Sequence, residues 1–531
     1  MADNEHYADR VILDTTVITV DEQQRLADAL AIAGDRILAV GTTDSIERLI
    51  GPRTRVQRCR GKAVLPGFVD SHCHMFFGGF AETSMNLSSA RSIRDILRNL
   101  EARAKETPEE TWILGYGYAL ERISEHRHPT RWELDSAAPS NPVWILPDSF
   151  HSSATNSLGC DLINGVEITA KTGDRRTAHT FDGTFPTDET HATARRRVFG
   201  FFSDEDIATK IRAIDQLAIS RGVTTIHACE GGRIDSDRDM RVLLSIKDEL
   251  KTRVVPYYET LDVDKVVELG LHRIGGCGRL NLDGMPDTHT AALVEPYNDR
   301  PDSTGILNLP QDVVERFVSV AHGAGLQIAA HAMGDGAIEQ LITAYEKAQS
   351  KDPRIDARHR VEHFHLPSDD QIDRAKALDL VVTMQPVFSE IWGGRGGVFE
   401  SRFGTERYAR IDRFKHLIDK GLLVCTGADS PAASIDPMRD LALLVDNVVD
   451  PEQSLSFLEA VKTITINGAY AAFEEKTKGS IEPGKLADLV VIDRVPLGCS
   501  AGDIRDIDVE MTMIGGKVVF EKAISPRHQE S

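Results

Sequence analysis

Short runs of apolar and β-branched residues, separated by turns that contain Asp and Gly, occur near both ends of the chain. They occupy residues 10–20, 28–41, 53–65, 485–493 and 509–521. Such runs, bounded by turn residues, predict β-strands, and Gly515-Gly516 predicts the turn of a hairpin. We expect small antiparallel sheets whose strands come from both chain ends and form one composite β domain.

Between these ends, strand-like apolar runs alternate with amphipathic stretches of helical periodicity. The runs lie at residues 67–72, 222–228, 253–259, 279–284, 326–331, 360–365, 381–386 and 423–429. Helical stretches such as residues 312–325 and 370–379 lie between them. The alternation of eight strands with helices predicts an α/β protein whose centre is a parallel (β/α)8 barrel, or TIM barrel.

The repeating pattern is interrupted after the first strand, over residues 80–220. A normal strand-to-helix connection is far shorter, and this stretch has its own strand signals at residues 112–118 and 142–148. We therefore expect an insertion that forms a lid or a small domain. The expected domains are a composite β-sandwich of residues 1–64 and 480–531, a barrel of residues 65–479, and the insertion of residues 80–220 within the barrel.

Composition narrows the class of protein. The 531 residues suit more than one domain, and 41% hydrophobic with 27% charged residues is ordinary for a globular chain. A formal charge of −21 argues against binding nucleic acid and against docking on anionic membranes.

There is no apolar run of about 18 residues, no signal-peptide pattern and no Cys-x-x-Cys pair among the seven cysteines. The expected location is the cytoplasm and the expected partner a small-molecule substrate; a homodimer is compatible with the sequence.

The strongest local motif is PGFVDSHCH at residues 66–74. Residues two apart on a strand point the same way, so His72 and His74 share a face while Cys73 points away. At the C-terminal end of a barrel strand, two adjacent imidazoles suit a divalent metal ion. The alternative for an isolated His-x-His is a pair of loop histidines that are hydrogen-bonded to backbone.

Other residues of ligand type fall at the ends of later strands. His331 ends the fifth run, His363 lies in the sixth between His359 and His365, and Asp429 ends the eighth. Each has a structural alternative when taken alone: a core histidine, or an aspartate in a turn or helix cap. Taken together they predict a metal site. Asp429 is the candidate general base, because a carboxylate beside metal-activated water can take its proton and return it to a leaving amine.

The motifs PGFVDSHCH, AAHAMGDGA, RVEHFHL, TGADSP and GSIEPGKLADLVVID together resemble the amidohydrolase superfamily. They are most similar to its amidohydrolase-3 branch, which includes N-substituted formamide deformylase-like proteins. The resemblance implies a barrel with one or two zinc-like ions and hydrolysis by metal-activated water. It implies the metal ligands His72, His74, His331, His363 and Asp429, with Asp429 and His363 as catalytic residues. A similar stretch in this branch places His151 and Asn156 near the substrate.

One departure from the superfamily pattern concerns the number of metal ions. Many relatives carry a carboxylated lysine on the fourth strand that bridges two ions, and the matching stretch here places Arg279 at that position. Arginine stays protonated and cannot bridge, so we expect one zinc or other divalent ion per chain. Cys277, Cys229 and Glu230 remain alternatives for bridging two. Arg279 and Asp283 are also expected to contact substrate.

The expected function is hydrolysis of an amide or formamide-like carbon–nitrogen bond, other than a peptide bond, in a small molecule. A deaminase, a cyclic-amide hydrolase or a lactonase of the same superfamily would use the same metal and water. A different alternative is a binding or regulatory barrel that has lost its chemistry, to which the arginine on the fourth strand lends some support.

Overall fold

The structure, a computed structural model, describes residues 7–148, 150, 152–165, 167, 180–186, 188–232 and 237–523. Eight parallel strands form its central sheet, each paired with the next along the chain. They are Phe68–Cys73, Val223–Glu230, Arg253–Tyr258, Arg273–Asn281, Gln327–Ala332, Arg360–His363, Val381–Met384 and Leu423–Thr426. Beyond the last strand, the N–H of Asp429 donates to the carbonyl of His72 at 2.8 Å. The first and last strands therefore meet, and the predicted (β/α)8 barrel is confirmed.

Helices connect the strands of the barrel, and several begin with side-chain caps. Ser368 and Gln371 form a reciprocal capping box at the start of one helix, and Asp262 caps another. The helices that follow the second strand of the barrel are Arg238–Ile246, Val263–Glu268, Gln311–Gly323, Asp335–Lys351, Asp369–Ala377, Pro386–Phe388, Val398–Tyr408, Phe414–Asp419, Pro437–Val445, Phe457–Thr463, Ile466–Ala471 and Ala501–Arg505. A π-helix spans Ser389–Gly393 and a 3-10 turn spans Pro451–Gln453. Among the described residues, every helix is too short or too polar to cross a membrane.

The two chain ends form a pair of small sheets, as expected. One sheet contains Arg10–Leu13, Ala29–Ala33, Arg36–Gly41 and Arg55–Arg58. The other contains Thr16–Ile18, Leu26–Ala27, Ala63–Pro66, Leu489–Ile492, Val509–Ile514 and Lys517–Glu521. N-terminal and C-terminal strands meet where Ala63–Pro66 pairs antiparallel with Leu489–Ile492. Apolar side chains of both sheets share one core, which includes Ile12, Leu30, Val64, Val491 and Met513.

Two details of these sheets bear on the sequence prediction. Gly515 and Gly516 have φ of 54° and 72°, the backbone that a tight hairpin turn needs, so the predicted hairpin is confirmed. The expectation of purely antiparallel sheets is wrong, because Arg10–Leu13 pairs in parallel with Arg55–Arg58. The short helix Thr43–Glu47 lies between Arg36–Gly41 and Arg55–Arg58, and after it the chain runs parallel to Arg10–Leu13.

The chain divides into two compact units. The first contains Met1–His74, Asp215–Gly232 and Lys247–Ser531, and the second contains Met75–Ile214 and Arg233–Ile246. The barrel and the composite β domain both belong to the first unit, whereas most of the predicted insertion of residues 80–220 belongs to the second. The role of the insertion as a lid stays a prediction.

The second unit has a five-stranded sheet of its own. Its strands, in spatial order, are Thr184–Phe185, Ser153–Thr155, Val143–Pro147, Ile113–Tyr118 and Met85–Asn86. The strands predicted at residues 112–118 and 142–148 are thus present. The helices from Met75 to the start of the second barrel strand are Met75–Thr83, Ile93–Glu106, Arg131–Ala137, Ser157–Leu162, Asp188–Gly200 and Asp204–Ser220. Phe199 packs edge-on against Phe76, Phe80 and Trp144 in the core of this unit.

Candidate metal centre

Six side chains converge at the C-terminal rim of the barrel. They are His72, His74, Cys277, His331, His363 and Asp429, and they come from the first, fourth, fifth, sixth and eighth strands or the residues directly after them. Three overlapping triplets of donor atoms lie within 4.8 Å of one another. Oδ1 of Asp429 lies 3.4 Å from Nε2 of His72 and 3.2 Å from Nε2 of His74. The residues that the sequence predicted as metal ligands are therefore brought together, and Cys277 joins them.

A buried ion pair orients His72. Its Nδ1 lies 2.6 Å from Oε2 of Glu362, and Arg360 donates to both oxygens of that carboxylate at 2.6 and 2.7 Å. Burial alone would raise the pKa of Glu362, but Arg360 and His72 lower it below its ordinary value. The ionised carboxylate accepts the Nδ1–H of His72, so Nε2 keeps its lone pair toward the cluster.

The other three histidines are oriented in the same way. His74 directs Nδ1 to the carbonyl of Cys229 at 2.8 Å, and His363 directs Nδ1 to Oε1 of Gln385 at 2.7 Å. His331 has Nε2 3.3 Å from Oδ1 of Asp283. In each ring an acceptor lies behind the nitrogen that faces away from the cluster, which leaves the opposite nitrogen able to bind a cation.

Left-handed backbone presents two of these side chains. His363 has φ of 75° and Asp429 has φ of 51°, in the region that residues with a Cβ rarely adopt. Such strain costs on the order of 1 kcal/mol per residue and persists where the surrounding structure enforces it. Both residues lie at or shortly after the end of a barrel strand, and their side chains join the cluster.

Asp429 is the most accessible of the acidic groups at this rim. Its side chain is 14% exposed, whereas those of His72 and Glu362 are fully buried. Burial raises the pKa of Asp429, but hydrogen bonds to His72 and His74 outweigh burial and hold the pKa far below its ordinary value. The carboxylate is therefore ionised at neutral pH and reachable from solvent.

The fourth strand differs from the prediction that placed Arg279 in the metal site. The strand begins at Arg273, six residues earlier than expected, and residues 277–280 bulge out of the pairing with the fifth strand, since Gly276 pairs with Ala330 and Asn281 with His331. This bulge buries Cys277 within the cluster and leaves Arg279 exposed. The residue of this strand that joins the cluster is Cys277 and not Arg279. A contact of Arg279 with substrate stays a prediction.

Two of the predicted substrate contacts have other partners. The carboxylate of Asp283 accepts hydrogen bonds from the backbone N–H groups of Ala292, Met333 and Gly334 and contacts His331, so it positions that ring and its loop. A contact of Asp283 with substrate stays a prediction.

Asn156, in the second unit, is buried and caps the helix Ser157–Leu162. Its Oδ1 accepts from the N–H groups of Val143 and Gly159, and its Nδ2 donates to the carbonyls of Ala138 and Asn141. Both ends of the amide are thus engaged within the protein, and a contact of Asn156 with substrate stays a prediction. His151 lies outside the described residues.

Several residues that support the cluster were not predicted from the sequence. Arg360 and Glu362 are two apart on a strand, a spacing that places both on one face and could have indicated the ion pair. Glu259, at the end of the third strand, accepts the N–H of Cys277 at 2.9 Å and lies 3.7 Å from Nδ1 of His74. No local sequence signal indicates Gln385.

The donor set fits a divalent transition-metal ion. Imidazole nitrogen and thiolate sulfur are the ligands that zinc and its neighbours prefer, whereas magnesium and calcium prefer oxygen alone. Four imidazoles, a cysteine sulfur and a carboxylate supply such donors here, and each imidazole has its second nitrogen hydrogen-bonded, or in close contact with an acceptor.

Comparison with known proteins gives a consistent picture. The model of the family described as "Amidohydrolase family" matches residues 55–520. N-substituted formamide deformylase from Arthrobacter pascens is 25% identical over 549 residues, which cover 97% of this chain and 98% of that protein. Protein LONG AFTER FAR-RED 3 from Arabidopsis thaliana is 25% identical over 543 residues, which cover 97% and 92%. A solved structure of an uncharacterized metal-dependent hydrolase from Pyrococcus furiosus superposes with a TM-score of 0.76 at 26% identity, covering 92% of this chain and 99% of that chain.

Proposed function

The chain belongs to the Amidohydrolase family, and from this premise we propose that it hydrolyses an amide or formamide-like carbon–nitrogen bond of a small molecule at its metal centre. Family membership and the similarity to a metal-dependent hydrolase support hydrolysis as the reaction. The observation that carries the proposal is the convergence of four oriented imidazoles with the partly exposed carboxylate of Asp429.

The residues that would hold the cation are His72, His74, Cys277, His331, His363 and Asp429. We propose zinc, because imidazole and thiolate donors suit it. A divalent cation supplies Lewis acidity, which lowers the pKa of coordinated water toward neutrality and polarises the carbonyl of a substrate. His363, the second candidate catalytic residue, contributes by presenting Nε2 to the cluster while Gln385 holds its Nδ1.

Asp429 is the proposed proton carrier. Its carboxylate is ionised and accessible, so it can accept a proton from the attacking water. As the carbon–nitrogen bond breaks, the same proton passes from Asp429 to the leaving nitrogen, which departs as a neutral amine. The water oxygen stays with the acyl carbon as a carboxylic acid, and the carboxylate of Asp429 is restored.

The choice of bond rests on similarity to the formamide deformylase from Arthrobacter pascens. A deaminase, a cyclic-amide hydrolase or a lactonase would use the same residues and would differ in the products. A binding or regulatory barrel that has lost its chemistry is the alternative of a different class, and the assays below distinguish it.

The test is a hydrolase screen on the purified protein over N-formyl amines, N-acyl amines, cyclic amides and lactones, with metal content measured on the same sample. We expect release of formate or another acid together with an amine, loss of this activity with a chelator, and recovery with zinc. Release of ammonia or ring opening alone would favour the related reactions. A protein that binds no divalent ion and hydrolyses none of these compounds would contradict the proposal and favour a binding role.

A further inference from the structure

We infer that Cys277 is a bridging thiolate that holds two divalent cations, one beside His72 and His74 and the other beside His331 and His363. The inference rests on the proposed function of this cluster as a metal centre and goes beyond it, since it assigns a ligand and a number of ions. It replaces the expectation of a single ion, which depended on Arg279 in the bridging position.

The position of the sulfur supports a bridge. Sγ of Cys277 lies 3.4 Å from Nε2 of His72, 3.7 Å from Nδ1 of His331 and 3.6 Å from Nε2 of His363. With zinc–nitrogen and zinc–sulfur bonds of about 2.1 and 2.3 Å, a tetrahedral ion separates its sulfur and nitrogen ligands by about 3.6 Å. A six-coordinate ion with the same bonds would bring them to about 3.1 Å. The spacing therefore fits tetrahedral sharing on both sides of the sulfur.

The number of donors also favours two ions. One tetrahedral ion takes four ligands, whereas six side chains converge here. If Cys277 is shared, the first ion receives His72, His74, Asp429 and the sulfur. The second receives His331, His363 and the sulfur, which leaves one position for water, as catalytic zinc sites do.

The backbone around Cys277 is shaped to place the sulfur there. Gly276 and Gly278 have φ of 120° and 59°, which favour glycine. A Cβ on Gly276 would lie 2.8 Å from Sγ of Cys229, and a Cβ on Gly278 would lie 2.7 Å from Oε2 of Glu259. The N–H of Cys277 donates to Oε1 of Glu259 at 2.9 Å. The bulge is thus fixed on both sides of the cysteine.

Cys229 provides a matched comparison. It is buried like Cys277, but its Sγ lies 4.0 Å from Nδ1 of His72, the nitrogen that faces Glu362. Its sulfur is on the wrong side of the imidazole to share an ion with the cluster. Among the described residues, Cys277 is the one cysteine in the candidate metal groups.

The experiment is a cobalt titration of the full-length, metal-depleted protein in a reducing, oxygen-free buffer. Cobalt bound to thiolate gives a near-ultraviolet charge-transfer band, and two cobalt ions that share a sulfur couple their spins. For the wild type we expect the band to develop until two cobalt ions are bound per chain, and the second ion to weaken the electron paramagnetic resonance signal of the first.

Three variants accompany the titration. Cys277→Ser should lose the band and bind the second cobalt ion at least tenfold more weakly. Cys229→Ser, the matched control, should keep both the band and the two ions. Cys277→Asp should retain two ions without the band, because a carboxylate can also bridge. If Cys277→Ser fails to fold, the wild-type titration and Cys277→Asp still show whether Cys277 bridges two ions.

The outcomes separate this inference from the proposed function. A protein that binds cobalt and hydrolyses amides without a thiolate band overturns the bridging role and leaves the proposed function in place. A band that is complete at one ion per chain, with an undiminished resonance signal, shows a terminal ligand and also overturns the bridge. Absence of any bound cobalt overturns both.

Discussion

Nδ1 of His72 lies 2.6 Å from Oε2 of Glu362, and both side chains are completely buried. The same carboxylate pairs with Arg360, which also donates to the carbonyl of Ser71. One acidic group therefore neutralises a buried guanidinium and fixes the ring of a candidate metal ligand. A single substitution at Glu362 tests both roles.

Glu362→Gln should weaken metal binding about 10- to 100-fold, because the amide is a poorer acceptor for the Nδ1–H of His72. It should also lower the free energy of unfolding by about 3–5 kcal/mol, since Arg360 is left as an unpaired buried charge. Metal titration and denaturant unfolding measure the two effects. Glu101→Gln, which removes an exposed partner of Lys105, is the control and should change neither. Unaltered metal affinity in Glu362→Gln would show that the carboxylate does not orient His72.

Asp429→Asn should lower kcat by about 100- to 10,000-fold, because the amide cannot carry the proton from water to the leaving nitrogen. The fold should be retained, as the backbone N–H of Asp429 still donates to His72. Steady-state kinetics and circular dichroism check these expectations. Asp302→Asn, at an exposed position, should leave kcat unchanged. A turnover close to wild type in Asp429→Asn would remove this residue from the role of base.

Gly276→Ala should destabilise the protein by about 2–4 kcal/mol, since the added Cβ would meet the sulfur of Cys229 on a backbone that already disfavours a side chain. Metal content should fall as well, because the bulge that carries Cys277 must shift. Gly270→Ala is the matched control: it has φ of 67° and open space around it, so it should cost only about 1 kcal/mol. Equal losses in the two variants would mean that crowding at Gly276 is unimportant.

Arg279→Ala should leave the metal content unchanged, because this side chain is exposed and Cys277 occupies the cluster. Arg279→Lys should likewise bind no additional ion. Elemental analysis of both variants beside the wild type checks this. A gain of metal in Arg279→Lys would indicate that position 279, and not Cys277, takes the place of the bridging lysine.

His128 should make stability depend on pH. Its Nδ1 lies 2.5 Å from the hydroxyl of Tyr118, and burial lowers its pKa to about 4, an effect that Asp182 opposes. The folded state therefore binds fewer protons than the unfolded state between about pH 6.5 and 4. The contribution of His128 is fully present above pH 6.5 and is lost as the pH falls, by about 3 kcal/mol at most.

Denaturant unfolding at several pH values measures this dependence. His128→Gln keeps a hydrogen-bonding group next to Tyr118 but cannot be protonated, so its stability should fall less steeply below pH 6.5. The exposed His126→Gln serves as the control and should follow the wild type. Parallel curves for the wild type and His128→Gln would assign the acid sensitivity to other groups.

Much of the barrel could be predicted from the sequence, because strand after strand is an apolar run with a turn at its end. The exception is the fourth strand, predicted at residues 279–284 and found at Arg273–Asn281. Its run Gly275-Gly276-Cys277-Gly278 has the composition of a turn. It becomes part of the barrel by pairing with the fifth strand, where Gly275 lies opposite Ala329 and a Cβ on Gly275 would lie 1.9 Å from the carbonyl oxygen of Ala329.

The site was predictable to the extent that topology determines it. His331 and Asp429 are far apart in sequence, but the C-terminal ends of parallel barrel strands meet at one rim. The hydrogen bonds of Asp283 could not be predicted from the order of the strands, because its partners are backbone N–H groups of a later loop. The hydrogen-bond partners of Asn156 could not be predicted for a similar reason: the groups that its amide binds are scattered along the chain.

The strand Ala63–Pro66 pairs with Leu489–Ile492, so the first and last parts of the polypeptide share one sheet. During synthesis, this edge of Ala63–Pro66 has no partner until Leu489–Ile492 has left the ribosome. An unpaired apolar edge invites association with other chains. A chain that ends before Leu489 would therefore keep all six candidate metal ligands and yet be prone to aggregate.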